Sequence, residues 1–162
     1  MTQAHASGPA PVPPFAAMLS ATVANNGVLM KPYLVQKVTA PDLSAVQTAT
    51  PSTLNTPLTP TQAAHLQAMM TNVVQNSAGT AHATAGTQVT GGIEIAGKTG
   101  TAQNGINNSG LDDAVFTGYA PTTNPQIAVG VVVKGGGFGA DAAAPIAVAI
   151  IKAYLSSQQG KG

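Results

Sequence analysis

The feature that most constrains this 162-residue chain is a lysine flanked by glycines that follows a short alternating apolar pattern. Ile93 and Ile95 alternate across a glutamate, which predicts a half-buried strand. This pattern runs directly into Ala96-Gly97-Lys98-Thr99-Gly100-Thr101-Ala102-Gln103. Glycines beside a charged donor allow another backbone or a ligand to approach closely. The strand is therefore predicted to end at this run and to deliver an ammonium and two hydroxyls to one place.

The same stretch also matches a phosphate-binding loop, because Gly92 to Thr99 fits the pattern G-x-x-x-x-G-K-[ST]. That pattern depends on a looping backbone followed by a helix that starts at the lysine. Here the supposed loop alternates like a strand, and the residues after Lys98 include two glycines and a β-branched residue, which start a helix poorly. The apolar run Ile127 to Val133 leads to Lys134 and a glycine cluster, not to the aspartate that Mg²⁺ needs. The sequence therefore argues against nucleotide binding.

Composition argues against several other classes. Charged residues make up only 7% of the chain, there is no arginine, and the net charge is +1, so neither nucleic acid nor an anionic membrane is an expected partner. Cysteine is absent, and His5, His65 and His82 lack metal-ligand spacing, so no metal or cofactor is predicted. No apolar run reaches the ~18 residues of a membrane span. The first residues also lack the pattern of a signal peptide.

Apolar spacing predicts three helices. The first covers Phe15 to Asn25 and ends at an Asn-Asn-Gly signal. The second begins with Thr59 as N-cap and Pro60 at the first helical position, and ends within Asn76 to Gly79, after which a short further helix is expected. Its apolar stripe is assigned to core packing and comprises Leu66, Met69, Met70, Val73 and Val74. The third helix is predicted to start from Asp141 as N-cap and to reach Leu155. It is apolar on most sides and is therefore expected to be buried against the sheet.

Four strands are predicted, and the chain is assigned to the α+β class with an antiparallel sheet packed against helices. Short connections between the last three strands favour antiparallel neighbours. Residues 1–14 are interpreted as a loose proline-rich leader, 15–157 as the folded part, 40–58 as a surface excursion within it, and 158–162 as a tail. The strands are Tyr33 to Thr39, the strand ending at the Lys-Thr-Gly run, Ala114 to Ala120, and Gln126 to Val133.

Five local runs resemble, in the same order, the C-terminal half of a penicillin-binding protein transpeptidase domain of the class B, monofunctional branch. They extend from about residue 15 to residue 155. They are Val23 to Val35, Val74 to Ala81, Ala96 to Gln103 with the signature, Phe116 to Pro121, and Ala143 to Ala147. The resemblance implies a partial β-lactamase-like fold and peptidoglycan D,D-transpeptidase chemistry, which is cell-wall cross-linking by acyl transfer. It also implies a location on the extracytoplasmic face of the bacterial membrane.

The resemblance further implies roles for the signature residues. Lys98 supplies positive potential for a terminal carboxylate and for the proton network, and Thr99 and Thr101 hydrogen-bond that carboxylate. The backbone N–H of Thr101 is one of two oxyanion donors, and Gly100 and Gln103 complete the substrate-binding set. The implied ligands are β-lactams and the D-Ala-D-Ala end of a peptidoglycan stem peptide, the peptide lying along the strand edge.

The nucleophile of that family is absent from this chain. The family uses a serine three residues before a lysine, and none of the eight serines here has lysine at that distance; the second element, Ser-x-Asn, is also missing. Acyl transfer needs a nucleophile beside its base. Three hypotheses follow: an enzyme completed by an N-terminal half-domain on another chain, a non-catalytic binding or interaction module, or a truncated remnant without a stable fold.

Overall fold

The structure is a computed structural model that describes residues 13–86 and 92–159. Residues 1–12 of the predicted leader and 160–162 of the predicted tail lie outside the described residues. These described residues include three α-helices: α1 (Pro13–Ala24), α2 (Pro60–Gln75) and α3 (Ala143–Gln159). The strands are β1 (Leu29–Met30), β2 (Lys37–Thr39), β3 (Ala45–Thr48), β4 (Thr53–Asn55), β5 (Ala96–Ala102), β6 (Asp113–Ala120) and β7 (Ile127–Val133). Short π- and 3₁₀-helical segments occupy His82–Gly86 and Ile106–Asn108.

The centre of the fold is a three-stranded antiparallel sheet in the order β5-β6-β7, which confirms the α+β class and the predicted antiparallel neighbours. Lys98 pairs with Thr117, and Thr117 pairs with Gly130, so a single row of residues crosses all three strands. Among the described residues, no strand pairs with the outer edge of β5. The signature therefore lies on an open sheet edge.

The predicted position of the signature strand was wrong by several residues. Ile93 to Ile95 lie before the strand, and β5 starts at Ala96, so Lys98 stands inside the strand and not at its end. The partner strand explains the shift. β6 ends at Ala120, and the next residue, Pro121, has no N–H with which to continue the ladder opposite Glu94. Pairing is instead displaced by one residue, to a hydrogen bond of 3.0 Å from Thr122 N–H to the Glu94 carbonyl.

Helices cover both faces of this sheet. On the α1 face, Ala96 and Tyr119 pack with Val23 of α1, and the hydroxyls of Ser20 and Thr117 lie 2.6 Å apart. On the α3 face, the larger core cluster joins Phe116, Val129, Val131 and the buried side of α3, which comprises Ala143, Ala144, Ala147, Val148, Ile151 and Leu155. Because side chains alternate along a strand, Lys98 shares the α1 face with Ala96, whereas Thr99 and Thr101 belong to the α3 face.

Helix α2 packs along β5 and reaches both cores. It begins as predicted, since Thr59 and Gln62 form a reciprocal capping box around Pro60. Its apolar stripe divides: Leu66 and Met70 join the core of the α1 face, and Val73 and Val74 join the core of the α3 face. Met69 is the exception, because it is 57% exposed and contributes to neither cluster.

Two other predictions need correction, the strand Tyr33 to Thr39 and the N-cap at Asp141. Only the last part of the predicted strand Tyr33 to Thr39 is strand, and the excursion 40–58 contains the exposed strands β3 and β4, which pair with β2 and β1. Asp141 does not cap α3: the helix begins at Ala143, and the Gly139 carbonyl accepts from the N–H groups of the helix's first two residues. Helix α3 packs against the sheet as predicted, and Ile146 and Ile150 on its other side are exposed.

Candidate active-site wall

A cleft of about 400 Å³ lies at the open edge of β5. Two elements other than β5 line it: the turn that follows α2, and the glycine-rich loop between β7 and α3. The lining residues are Thr80, Lys98, Thr99, Gly100, Thr101, Phe138, Gly139, Ala140 and Asp141. Four of the five site residues predicted from the sequence are thus brought together. The fifth, Gln103, is exposed beyond the end of β5 and is not among the lining residues.

Within residues 13–86 and 92–159, Lys98 is the only cation that lines the cleft. Its side chain is exposed, and Nζ donates a hydrogen bond of 2.5 Å to the carbonyl of Thr99. The ammonium therefore folds along the outer edge of β5. Asp141 carries the opposite charge in the same lining. The cleft thus combines one positive group, one negative group and several hydroxyls over a strand edge.

The Thr99 side chain connects this edge of β5 to the turn that follows α2. Its hydroxyl oxygen lies 2.9 Å from that of Thr80, and either hydroxyl can be the donor. Thr80 follows the C-terminal end of α2, 19 residues before Thr99. Sequence reasoning placed Thr80 in a family-like run but gave it no role, because nothing in the local pattern shows which strand the end of α2 will meet.

The two glycines of the signature serve different purposes. A Cβ on Gly97 would lie 2.3 Å from Cζ of Phe116, so this glycine makes room for a buried ring and not for a ligand. Gly100 is approached by another backbone: a Cβ on Gly139 would lie 2.5 Å from the Gly100 carbonyl oxygen. The expected close approach of a second backbone is therefore present, and the partner is the glycine-rich loop.

Hydrogen bonds hold this glycine-rich loop to the start of β6. The buried carboxylate of Asp113 accepts a hydrogen bond of 2.7 Å from Gly135 N–H, and the Asp112 carbonyl accepts one of 2.8 Å from Gly137 N–H. The loop then presents Phe138, which is 69% exposed, at the cleft. Sequence reasoning missed Phe138, Gly139 and Asp141 as lining residues, because a glycine run carries no signal for the strand that it crosses.

A larger cavity, of about 570 Å³, lies between α1, β1 and the hairpin that precedes β7. The described residues that line it are mostly apolar and include no charged side chain, so the smaller cleft at β5 is the better chemical site. In residues 13–86 and 92–159, no group of three His, Cys, Asp or Glu side chains is arranged to hold a metal ion. Within the same described ranges, none of the helices has the length and apolar character to span a bilayer.

Comparison with known proteins gives one consistent result. The family profile described as "Penicillin binding protein transpeptidase domain" matches residues 15–152. Peptidoglycan D,D-transpeptidase PbpA of Mycolicibacterium smegmatis is 36% identical over 145 residues, which are 86% of this chain and 28% of that protein.

Two solved structures agree with that match. The D,D-transpeptidase domain of a peptidoglycan glycosyltransferase from Eggerthella lenta has a TM-score of 0.75 at 34% identity, over 88% of this chain and 31% of that one. The penicillin G acyl-enzyme complex of penicillin-binding protein A from Mycobacterium tuberculosis has a TM-score of 0.72 at 33% identity, over 86% of this chain and 31% of that one. The chain thus spans about a third of the length of the relatives that it matches.

Proposed function

Since this chain belongs to the penicillin-binding protein transpeptidase domain family and is a part of such a domain, we propose that it forms one wall of a D,D-transpeptidase active site. The wall binds the carboxylate end of a peptidoglycan stem peptide that terminates in D-Ala-D-Ala, and it binds β-lactams in the same place. By relation to proteins of cell-wall synthesis, the site of action is the extracytoplasmic face of the membrane.

The observation that carries this proposal is the open edge of β5 inside the cleft. The Thr99 carbonyl accepts from the exposed Lys98 ammonium, and we infer from this contact that the carbonyl faces the open side of β5. Main-chain groups of alternate residues point to the same side of a strand. Thr99 and Thr101 therefore both direct their main-chain groups to the open edge, where an extended peptide can add as a further strand.

The chemistry of the edge suits a carboxylate. A carboxylate only accepts hydrogen bonds, and the Lys98 ammonium and the hydroxyls of Thr99 and Thr101 are donors within one cleft. Charge-assisted hydrogen bonds of this kind are about twice as strong as neutral ones. The N–H of Thr101 on the same edge is the candidate oxyanion donor, and loss of one such donor typically lowers turnover by ~10²–10³-fold.

The attacking group must come from outside this chain. Among the residues that the structure describes, no serine lines the cleft, and Ser20, the most deeply buried of these serines, bonds to Thr117 within the α1 face. The proposed active site is therefore completed by the rest of a transpeptidase domain, which supplies the nucleophile and its base.

Complementation tests this proposal directly. The chain is mixed with the portion of M. smegmatis PbpA that it does not cover, penicillin G is added, and both polypeptides are weighed by mass spectrometry. We expect one penicillin adduct on the added portion of PbpA, dependent on the presence of this chain, and no adduct on the chain by itself.

Two substitutions sharpen the experiment. Lys98→Ala should slow acylation at least about tenfold, since a charge-assisted hydrogen bond contributes about 1.5–3 kcal/mol. Lys31→Ala is the matched control, because Lys31 is an exposed lysine outside the cleft. An adduct on the chain alone, or equal acylation rates for the two variants, would contradict the proposal.

A further inference from the structure

Thr80 is an exposed residue that lines the cleft without belonging to the signature. Its hydroxyl is 2.9 Å from that of Thr99, which is the hydroxyl nearest along the chain to Lys98. The contact joins the turn after α2 to the open edge of β5. Thr80 is therefore a candidate for controlling how the Thr99 hydroxyl is oriented.

The backbone on either side of Thr80 is fixed against α2. A Cβ on Gly79 would lie 2.3 Å from the Val73 carbonyl oxygen and 2.5 Å from that of Asn72, so only glycine fits there. On the other side, Ala81 is fully buried and its N–H donates to the Val73 carbonyl at 3.0 Å. Thr80 is thus held between two immobilised residues, with its side chain free to face the cleft.

A hydroxyl has one proton to donate and two lone pairs with which to accept. If Thr99 donates its proton to Thr80, it has none left for a ligand; if Thr80 donates to Thr99, the Thr99 proton is available. A carboxylate beside Lys98 selects the second arrangement, because it can only accept, and consecutive hydrogen bonds in one direction strengthen each other.

We propose that Thr80 is a positioning residue for carboxylate recognition: its hydroxyl donates to Thr99 and thereby directs the Thr99 proton to the carboxylate of the ligand. This inference rests on the proposed function, since it assumes that the cleft binds the carboxylate end of a peptide. It extends the site beyond the signature to a residue presented by another element of the fold.

The test measures binding and needs no catalysis. The full chain, labelled with the heavy nitrogen isotope, is titrated with N-acetyl-D-alanyl-D-alanine and with its C-terminal amide, while the NMR signals of the Thr99 and Thr101 amides are followed. Thr80→Val should weaken binding of the carboxylate ligand by about 3- to 10-fold, the effect of one lost hydrogen bond. The affinity for the amide ligand should not change, because it offers no carboxylate.

Two further variants separate this role from a structural one. Thr80→Ser keeps the hydroxyl and should retain the affinity for the carboxylate ligand. Thr122→Val is the matched control, since it removes a threonine hydroxyl that bonds to Glu94 at 2.9 Å, away from the cleft. Thr122→Val should affect neither ligand.

The proposal is overturned if the unsubstituted chain binds both ligands equally, if Thr80→Val weakens both equally, or if Thr80→Ser loses as much affinity as Thr80→Val. A chain that discriminates the carboxylate as expected, but does not support acylation of the added PbpA portion, would contradict the proposed enzyme function alone. The two ideas therefore fail on different measurements.

Discussion

Replacing Gly97 with alanine tests whether the first glycine of the signature is required by the core and not by a ligand. The substituted Cβ would lie 2.3 Å from Cζ of Phe116, 2.9 Å from Cε2 and 3.1 Å from Cε1. Carbon atoms in ordinary contact are about 3.5–4.0 Å apart, so the ring would have to retreat by at least ~1 Å. Phe116 is fully buried, and space for that movement is lacking.

The magnitude follows from two opposing effects. Overpacking of a well-packed core typically costs about 1–3 kcal/mol. Exchange of glycine for alanine also restricts the unfolded chain, which stabilises the fold by about 0.4–1 kcal/mol where the backbone conformation is compatible. Gly97 has no positive φ, so the backbone itself adds no strain. We expect a net loss of about 1–2 kcal/mol in the free energy of unfolding.

Urea unfolding followed by far-ultraviolet circular dichroism measures this change. Gly100→Ala is the matched control on the same strand, because its Cβ would meet Val115 Cβ at 3.3 Å and no other atom closer than 3.9 Å. Its free energy of unfolding should stay within about 0.5 kcal/mol of the original value. The two variants thus compare two glycines of the same signature, of which Gly97 faces the ring of Phe116 and Gly100 faces the side chain of Val115.

A double substitution checks the cause. Phe116→Leu shortens the side chain that occupies the space above Gly97, so it should cost less in the Gly97→Ala background than alone, with a coupling energy of at least ~0.5 kcal/mol. The steric explanation would be refuted if the effects of the two substitutions on the free energy of unfolding were strictly additive, or if Gly97→Ala were as stable as Gly100→Ala. Gly97 would then be better explained by the close approach of a ligand.

The remaining predictions concern the buried Tyr119 and the self-association of the chain. The Tyr119 hydroxyl is buried without a hydrogen-bond partner among the described residues, so Tyr119→Phe should raise the free energy of unfolding by about 1 kcal/mol. Burial also raises the pKa of Tyr119, so the unfolded chain loses the phenolic proton at a lower pH than the folded chain does. The free energy of unfolding should therefore fall as the pH rises above about 10, and it should fall more in the original protein than in Tyr119→Phe. If the original protein and Tyr119→Phe had equal melting curves at alkaline pH, the predictions for Tyr119 would be contradicted. Separately, the exposed Phe15 and Leu19 of α1 and the low charge of the chain favour self-association; sedimentation of a sharp monomer at every concentration would count against it.

The correct predictions from sequence rest on local physics. The N-cap at Thr59 and the antiparallel order of the last three strands follow from residue types and short connections that act within a few positions. The wrong predictions concern choices made by distant partners. Asp141 could have capped α3, but the Gly139 carbonyl receives the first helical N–H groups. Ile93 to Ile95 alternate as a strand should, yet the strand starts later because Pro121 limits the ladder on β6.

The sequence by itself determined the family of this chain, the presence of the Lys98 signature and the absence of a serine three residues before a lysine. These are properties of residue identity and spacing, and no folding step alters them. Only the tertiary structure decided that Gly139 covers Gly100 and that Thr80 meets Thr99. Each of these contacts joins residues that lie far apart in the chain. Which of these contacts form depends on how the helices and loops pack on the sheet. The burial gained by that packing outweighs the conformational preferences of single residues.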